Sequence, residues 1–367
     1  MTLLSIPGRI DVDIEARQDV SRRLSWAASG FNIVAALLLA GILLLSIGVN
    51  PVRALAVILG DILTPFGVTE VFARATPLLL VGLAVYLPLK AGLWNIAGDA
   101  QIYAGGIVAV WVGVSLELSA PVVIPAMILA GGIAGAAVGF VPGYLRAKHD
   151  VNEILVTLLL SFAFININEY AIQAIPNPGG LIHGSAPIRA AAEFPRLAGR
   201  VSIAIFLAAI ATVVVYTILA KTKYGQEIQY FGDNEASAFQ VGISKYKVII
   251  GCFLIGGALG GIAGVGEIGG IHHRLFPELS PGFGFTAIAI ALLGRSGVPY
   301  VVLASILFGV LFVAGSSLES TLAVPFAIVD VLEALVILFL VTAEFFRRYR
   351  VNIRTRPSEQ AVSGGFE

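Results

Sequence analysis

The sequence predicts an all-α, polytopic membrane protein of about ten transmembrane helices, on three observations. Hydrophobic residues make up 57% of the 367 and charged residues only 13%, about half the charged share of a soluble domain. The mean hydropathy is +0.92. Ten apolar intervals reach or approach the roughly 20 residues that a helix needs to cross a bilayer. The 23 basic and 23 acidic residues cancel, which removes the electrostatic basis for nucleic-acid binding. One cysteine, Cys252, excludes a disulfide framework.

In chain order, residues 1–23 are polar and read as a tail before the first apolar run. That run is too long for a signal peptide and lacks a small-residue cleavage site, so it is expected to stay. Leu24 to Val52, Leu118 to Leu145, Val201 to Ala220, Val248 to Gly266 and Ser296 to Leu318 contain no Asp, Glu, Lys or Arg. Ala75 to Leu89, Ala100 to Leu116, Ile154 to Asn168 and Leu279 to Gly294 are shorter, and count as spans because flanking charges snorkel to the headgroups. Val324 to Ala343 holds Asp330 and Glu333 but keeps its apolar density and a polybasic end. The membrane domain therefore runs over 24–345, followed by a tail over 346–367.

Orientation follows from Lys and Arg in the connections. With the N-terminus inside, 17 of the 23 basic residues fall on the inner face and 6 on the outer. Both termini are expected in the cytoplasm. Two connections are long: 177–200 outside, rich in Pro and Gly, and 221–247 inside. Long loops on opposite faces suggest two soluble partners.

Glycines recur at helical spacing at Gly131, Gly135 and Gly139, and again at Gly256, Gly260 and Gly264. Small residues on one face let helices approach closely. A sharper reading makes these two helices counterparts in an inverted internal repeat. Gly264, Gly266 and Gly269 match a dinucleotide-binding pattern but follow a membrane helix and not a strand. No phosphate-binding G-x-x-x-x-G-K-S/T is present, so the chain does not hold ATP itself and is not expected to be an enzyme.

Polar residues interrupt the apolar pattern in KAGLWNIAGDAQ, Lys90 to Gln101. Asn95, Asp99 and Gln101 there fit a broken helix buried in protein, or equally an N-cap by Asp99 on the next helix. Asn152 and Glu153 read as a helix start. Asp330 and Glu333, three apart on one helix face, suit a proton relay, though no basic residue shares their span. His272 and His273 lie in an outer loop and lack the further ligands of a metal site. In the inner loop, Asp233 or Asn234 as a start signal and Gly242 as a stop bound a short helix carrying Ala236, Ser237 and Ala238.

Several stretches resemble one family, the inner-membrane permeases of bacterial ABC importers for nucleosides and simple sugars, within the branched-chain amino-acid and ribose permease superfamily. Gly92 to Gln101 (GLWNIAGDAQ) is similar to the family's G-L-F/W-N-I-G-A-E-G-Q. Asn152 to Ser161 (NEILVTLLLS) is similar to N-E-V-I-V-T-L-M-L-N, and Gly225 to Ile243 to the family's inner loop. Gly282 to Arg295 resembles a fourth stretch. Gln229 and Tyr230 depart from the family's Arg and Ala, Asp99 stands for Glu, and Ser161 for Asn.

The resemblance implies a multi-pass inner-membrane subunit without chemistry of its own. Its implied partners are a separate ABC ATPase carrying ATP and Mg, a second permease subunit, the same or paralogous, and an extracytoplasmic solute-binding protein, all within membrane lipid. It places ATPase coupling on a cytoplasmic coupling helix at Gly232, Asp233, Asn234, Ala236, Ala238 and Gly242. Amide and aromatic groups suited to nucleosides and sugars nominate Trp94, Asn95, Gln101, Asn166, Phe283 and Phe285 for the substrate pathway. No catalytic or metal residue is expected. The alternative is a proton-coupled secondary transporter using Asp330 and Glu333.

Overall fold

The structure is a computed structural model. It describes residues 2–6, 10–16, 38–177, 184–325 and 349–355, with scattered positions between 328 and 342. The relay candidates Asp330 and Glu333 lie outside the described residues.

The chain divides into two units, residues 1–52 with 327–367, and residues 53–326. The first holds strands β1 (Thr2–Ile6), β2 (Ile10–Ala16) and β5 (Tyr349–Thr355), in one antiparallel sheet of order β1-β2-β5. Ile10 pairs with Thr355 and Ala16 with Tyr349. Polar tails were expected here. IDVDIEA and YRVNIRT alternate apolar and polar residues, the period of a strand and not of a helix. Helix α1 (Leu38–Ser46) follows the first two strands.

The second unit carries the membrane helices. These are α2 (Pro51–Ile62, its start in the first unit), α3 (Pro65–Lys90), α4 (Gly98–Ser115), α5 (Ala120–His149) and α6 (Glu153–Ala174). A hairpin of β3 (Arg196–Ala198) and β4 (Val201–Ser202) precedes α7 (Ala204–Lys221). Then come α8 (Lys223–Asp233), α9 (Glu235–Gln240), α10 (Lys245–Glu267) with a π-helical turn at Ile268–His272, α11 (Phe283–Leu293) and α12 (Val298–Leu322). Among the described residues six helices are long and apolar enough to cross a bilayer, or seven if α1 and α2 form one bent span. The chain is a multi-pass, mostly helical membrane protein. The interval expected to span from Leu279 to Gly294 is shorter in the structure. Gly282 turns the chain at φ +77°, leaving α11 only 11 residues, about 16 Å and half the hydrocarbon core.

Helices α3 and α10 form the interior. Leu78, Leu80, Val81, Leu83 and Leu87 of α3 are fully buried, as are Val248, Phe253 and Val265 of α10. Glycine makes α10 central, because one glycine-rich side meets three helices. A Cβ on Gly257 or Gly261 would lie 2.3 or 2.2 Å from the carbonyl oxygens of Gly135 and Gly131 on α5. On the same side a Cβ on Gly264 would lie 2.0 Å from Ile102 O of α4, and one on Gly256 2.5 Å from Ala84 O of α3. The two glycine-bearing helices are thus packing partners of each other. Only a missing side chain permits such backbone contact, and dispersion holds it. Helices α6 and α7 are peripheral, with Leu155, Leu159, Phe162, Phe206, Ile210 and Val213 turned outward.

Candidate functional site

The chain between α3 and α4 builds the first part of the site. Residues 91–97 are not helical, yet Leu93, Asn95 and Ala97 are buried. The loop descends beside α6. Trp94 N–H donates to Glu153 Oε1 at 3.5 Å, at the first residue of α6, whereas Ile96 O accepts from Ser161 Oγ at 3.0 Å, eight residues further along. That is about 12 Å of helix. Asn95 Nδ2 donates to Ala84 O at 3.1 Å, six residues before the end of α3. A broken helix sunk into protein is therefore what this segment forms, and its polar groups must be satisfied internally.

They are. Gln101 Nε2 donates to Asn95 Oδ1 at 3.2 Å, Asn95 Nδ2 donates to Gln101 Oε1 at 3.4 Å, and Ala97 N–H donates to Asn95 Oδ1 at 3.2 Å. Both amides are fully buried. The pair closes the break, with both amides hydrogen-bonded inside the protein. Asp99, buried in the first turn of α4, does not cap its own helix. Its Oδ1 accepts from Ser280 Oγ at 2.6 Å and Gly284 N at 2.8 Å, and so caps α11, where a carboxylate also complements the helix dipole. A Cβ on Gly98 would lie 2.8 Å from Gly284 Cα. The N-termini of two interrupted helices meet here around one carboxylate.

The other nominated residues divide. Phe283 is fully buried, edge-on to Phe312 at 5.2 Å. Phe285 is half exposed. Asn166 lies on the open face of α6, its amide donating to Phe162 O at 2.8 Å. Trp94 is half-buried. Asn166, Phe285 and Trp94 keep exposed surface, whereas Asn95, Gln101 and Phe283 are fully buried.

The second part of the site is the expected short helix. Asn234 Oδ1 caps α9 by accepting from Ser237 N at 3.0 Å, and Gly242 ends the turn at φ +81°, a conformation that favours glycine. Gly232 is fixed by contact, since a Cβ there would sit 2.1 Å from Lys90 O. Asp233 and Ala236 are exposed, whereas Ala238 is buried against its own chain. The outward face instead carries Phe239, 77% exposed, and Val241, 75% exposed. Sequence reasoning missed this apolar knob, although two apolar residues beside the stop glycine signal it.

Sequence reasoning also missed Glu267, buried at the end of α10 and paired with His272 Nε2 at 3.2 Å across the π turn. His272 is thus not simply solvated. His273 sits at φ +58° beside Arg196 Nη2 at 3.3 Å. Burial first, then the Arg196 charge, push its pKa below the ordinary histidine value against the opposing pull of Glu193. Among the described residues no cluster of His, Cys, Asp and Glu could hold a metal.

Comparison with known proteins agrees with this architecture. The chain is 43% identical over 359 residues to the glucose ABC transporter permease protein TsgB13 of Haloferax volcanii, covering 94% of each. It is 32% identical over 286 residues to the guanosine ABC transporter permease protein NupP of Bacillus subtilis, covering 76% of this chain and 82% of that one. A nucleoside ABC transporter permease protein, NupB of Lactococcus lactis, is 28% identical over 322 residues, covering 84% and 88%. Residues 67–341 match the family described as the permease component of the branched-chain amino acid transport system. The match takes in the broken helix, the capped α11 and the inner loop, and it displaces the proton-relay alternative: the chain belongs to this family of ABC transporter permease components.

Proposed function

We propose that the chain forms the pathway of an ABC importer for a nucleoside or simple sugar. The observation that carries this is the pair of interrupted helices, α4 and α11, meeting at Asp99 in a chain whose relatives are named for glucose, guanosine and nucleosides. Discontinuous helices are where membrane transporters place solute. A second permease subunit, the same or a paralogue, would face Asn166 and Phe285 across the pathway, with lipid against the remaining apolar surface of α6 and α7. An extracytoplasmic binding protein would dock on the outer segment around 184–202. A separate ATPase, carrying ATP and Mg²⁺, would receive α9, with Phe239 seated in its groove. Differential binding of α9 in two arrangements would then shift access between the two faces.

Counting the chain at 279–282 together with α11 as one crossing, ten crossings in the cytoplasmic membrane accord with the pairing of β2 with β5, since strands joined in one sheet lie on one side and require an even number. The basic-residue bias puts that side inside. With five crossings in each half, an inverted repeat would relate α3 to α10, which pack at Ala84 and Gly256, and not α5 to α10.

The test is uptake of labelled guanosine and glucose in cells lacking this chain, with and without its restoration. ATP-dependent uptake of either solute that returns with the chain supports the reading. Uptake that collapses with the proton gradient while ATP stays high would refute it.

A further inference from the structure

Five charged side chains from five parts of the chain converge where α9 meets the membrane helices. Arg146, near the end of α5, lies 3.4 Å from Glu153 Oε2 on α6, 3.5 Å from Glu235 Oε2 on α9, and 3.7 Å from Asp150 Oδ1 in the α5–α6 turn. Lys245, the first residue of α10, reaches Glu235 Oε1 at 3.0 Å and also bonds Asp150. Asp150 itself is held at φ +52°, and its carboxyl is drawn below the usual aspartate range, first by the Lys245 hydrogen bond. Glu153 faces two ways. One oxygen meets Arg146 and the other accepts from Trp94 N–H in the sunken loop.

From these contacts we infer that Arg146 is the positioning residue through which displacement of α9 reaches the 91–97 loop. The inference rests on the proposed docking of an ATPase at α9. The route is short. Glu235 is the first residue of α9, so movement of that helix carries its carboxylate. Arg146 donates a hydrogen bond to Glu235 and holds Glu153 by charge, its Nε making no hydrogen bond, and Glu153 accepts from the backbone N–H of Trp94. Beyond Trp94 the loop is locked by the Asn95–Gln101 pair, and two residues before Gln101, Asp99 caps α11. Arginine suits such a hub because its planar group presents five N–H donors in a fixed fork spread over three nitrogens, whereas a lysine ammonium offers three donors from a single rotating nitrogen. Partial burial of Arg146 and Glu153 keeps their pair less screened by salt than an exposed one.

The experiment exploits the single native cysteine, Cys252, which is fully buried. A Trp94→Cys chain is purified with its co-purifying ATPase and reconstituted in phosphatidylethanolamine and phosphatidylglycerol vesicles. Labelling of residue 94 by a charged maleimide is timed with and without Mg-ATP and vanadate. The expected result is a labelling rate that changes on trapping with Arg146 in place. The change should vanish in Arg146→Gln and shrink in Arg146→Lys, while the ATPase still co-purifies and hydrolyses ATP. Glu235→Gln, a partly exposed site, should reproduce Arg146→Gln from the other end of the pair and covers the case in which that variant does not fold. An undiminished change in both variants would overturn the inference. So would a parent chain that binds a working ATPase yet shows no change at residue 94, and that result leaves the proposed function standing. Failure of any ATPase to co-purify with the parent would overturn the proposed function and the inference with it.

Discussion

Adding one methyl group at Gly135 tests whether backbone contact between α5 and α10 is what holds the interior. An alanine Cβ there would stand 2.2 Å from Gly257 O and 2.7 Å from Gly261 Cα. Ordinary contacts between such atoms lie at about 3.5 Å, so the helices must part by about 1 Å. A gap of that size forfeits a quarter to a half of each atomic contact, and over about 50 contacts of about 0.15 kcal/mol the loss is about 2–4 kcal/mol. Alanine recovers up to about 1 kcal/mol through its helix propensity, leaving a net loss of about 1–3 kcal/mol. At about 2 °C per kcal/mol for a unit of this size, the midpoint of thermal unfolding should fall by about 2–6 °C. A thiol-reactive fluorogenic dye reads this directly, because Cys252 lies on α10 and reacts only when that helix loosens. Gly132 is the control, since a Cβ there meets nothing nearer than Ile262 at 3.5 Å. Gly132→Ala should hold or raise the midpoint. Equal losses at 132 and 135, or no loss at 135, would refute the argument from backbone contact.

Enlarging α9 should separate its two faces: Ala236→Trp is expected to keep the thermal midpoint but lose the co-purifying ATPase, whereas Ala238→Trp, at a buried site, should lower the midpoint by overpacking worth about 1–3 kcal/mol. Loss of ATPase binding in neither variant would remove α9 as the docking element. Asn95→Leu strands the Gln101 amide and the Ala97 N–H, at about 1–3 kcal/mol for each unsatisfied group. The Asn95→Leu, Gln101→Leu double variant should therefore be less destabilised than the sum of the singles, and strict additivity in unfolding assays would contradict the pairing. His273 has a lowered pKa in the folded chain, so the unfolded state binds its proton first and the stability it confers is full above about pH 6.5 and is lost as pH falls below. Ile188 N–H donates to His273 O, so exchange protection of 184–195, corrected for intrinsic rates, should drop in mild acid. A His273→Gln chain that kept the same pH dependence would assign it elsewhere.

What could be read from the residues was local. Apolar run length located the long helices, and Asn234 with Gly242 bounded α9 because caps act within a turn of the residue that makes them. The polar interruption at 90–101 announced a broken helix. Its capping carboxylate did not announce its target, since Asp99 reaches Gly284 across 185 positions and no local pattern encodes that pairing. The Arg146 hub was hidden for the same reason, its partners being spread from 150 to 235. Glycine spacing revealed close approach but not which face met which helix. The register that counts on α10 toward α5 is Gly257 and Gly261, one residue along from the Gly256 set. Helix α11 was overestimated because absence of charge continues through Ser280, Pro281 and Gly282, where a turn at Gly282 delays the start of the helix to Phe283.

The pairing of Ile10–Ala16 with Tyr349–Thr355 joins segments more than 330 positions apart, counting from 16 to 349. During synthesis the second strand therefore has its edge open on one side throughout assembly of every membrane helix, and the ladder closes only after the last of them has left the ribosome. An unpaired strand edge is a template for mispairing with other chains. A chain stopped short of residue 349 would lack the third strand and leave one edge of β2 unpaired.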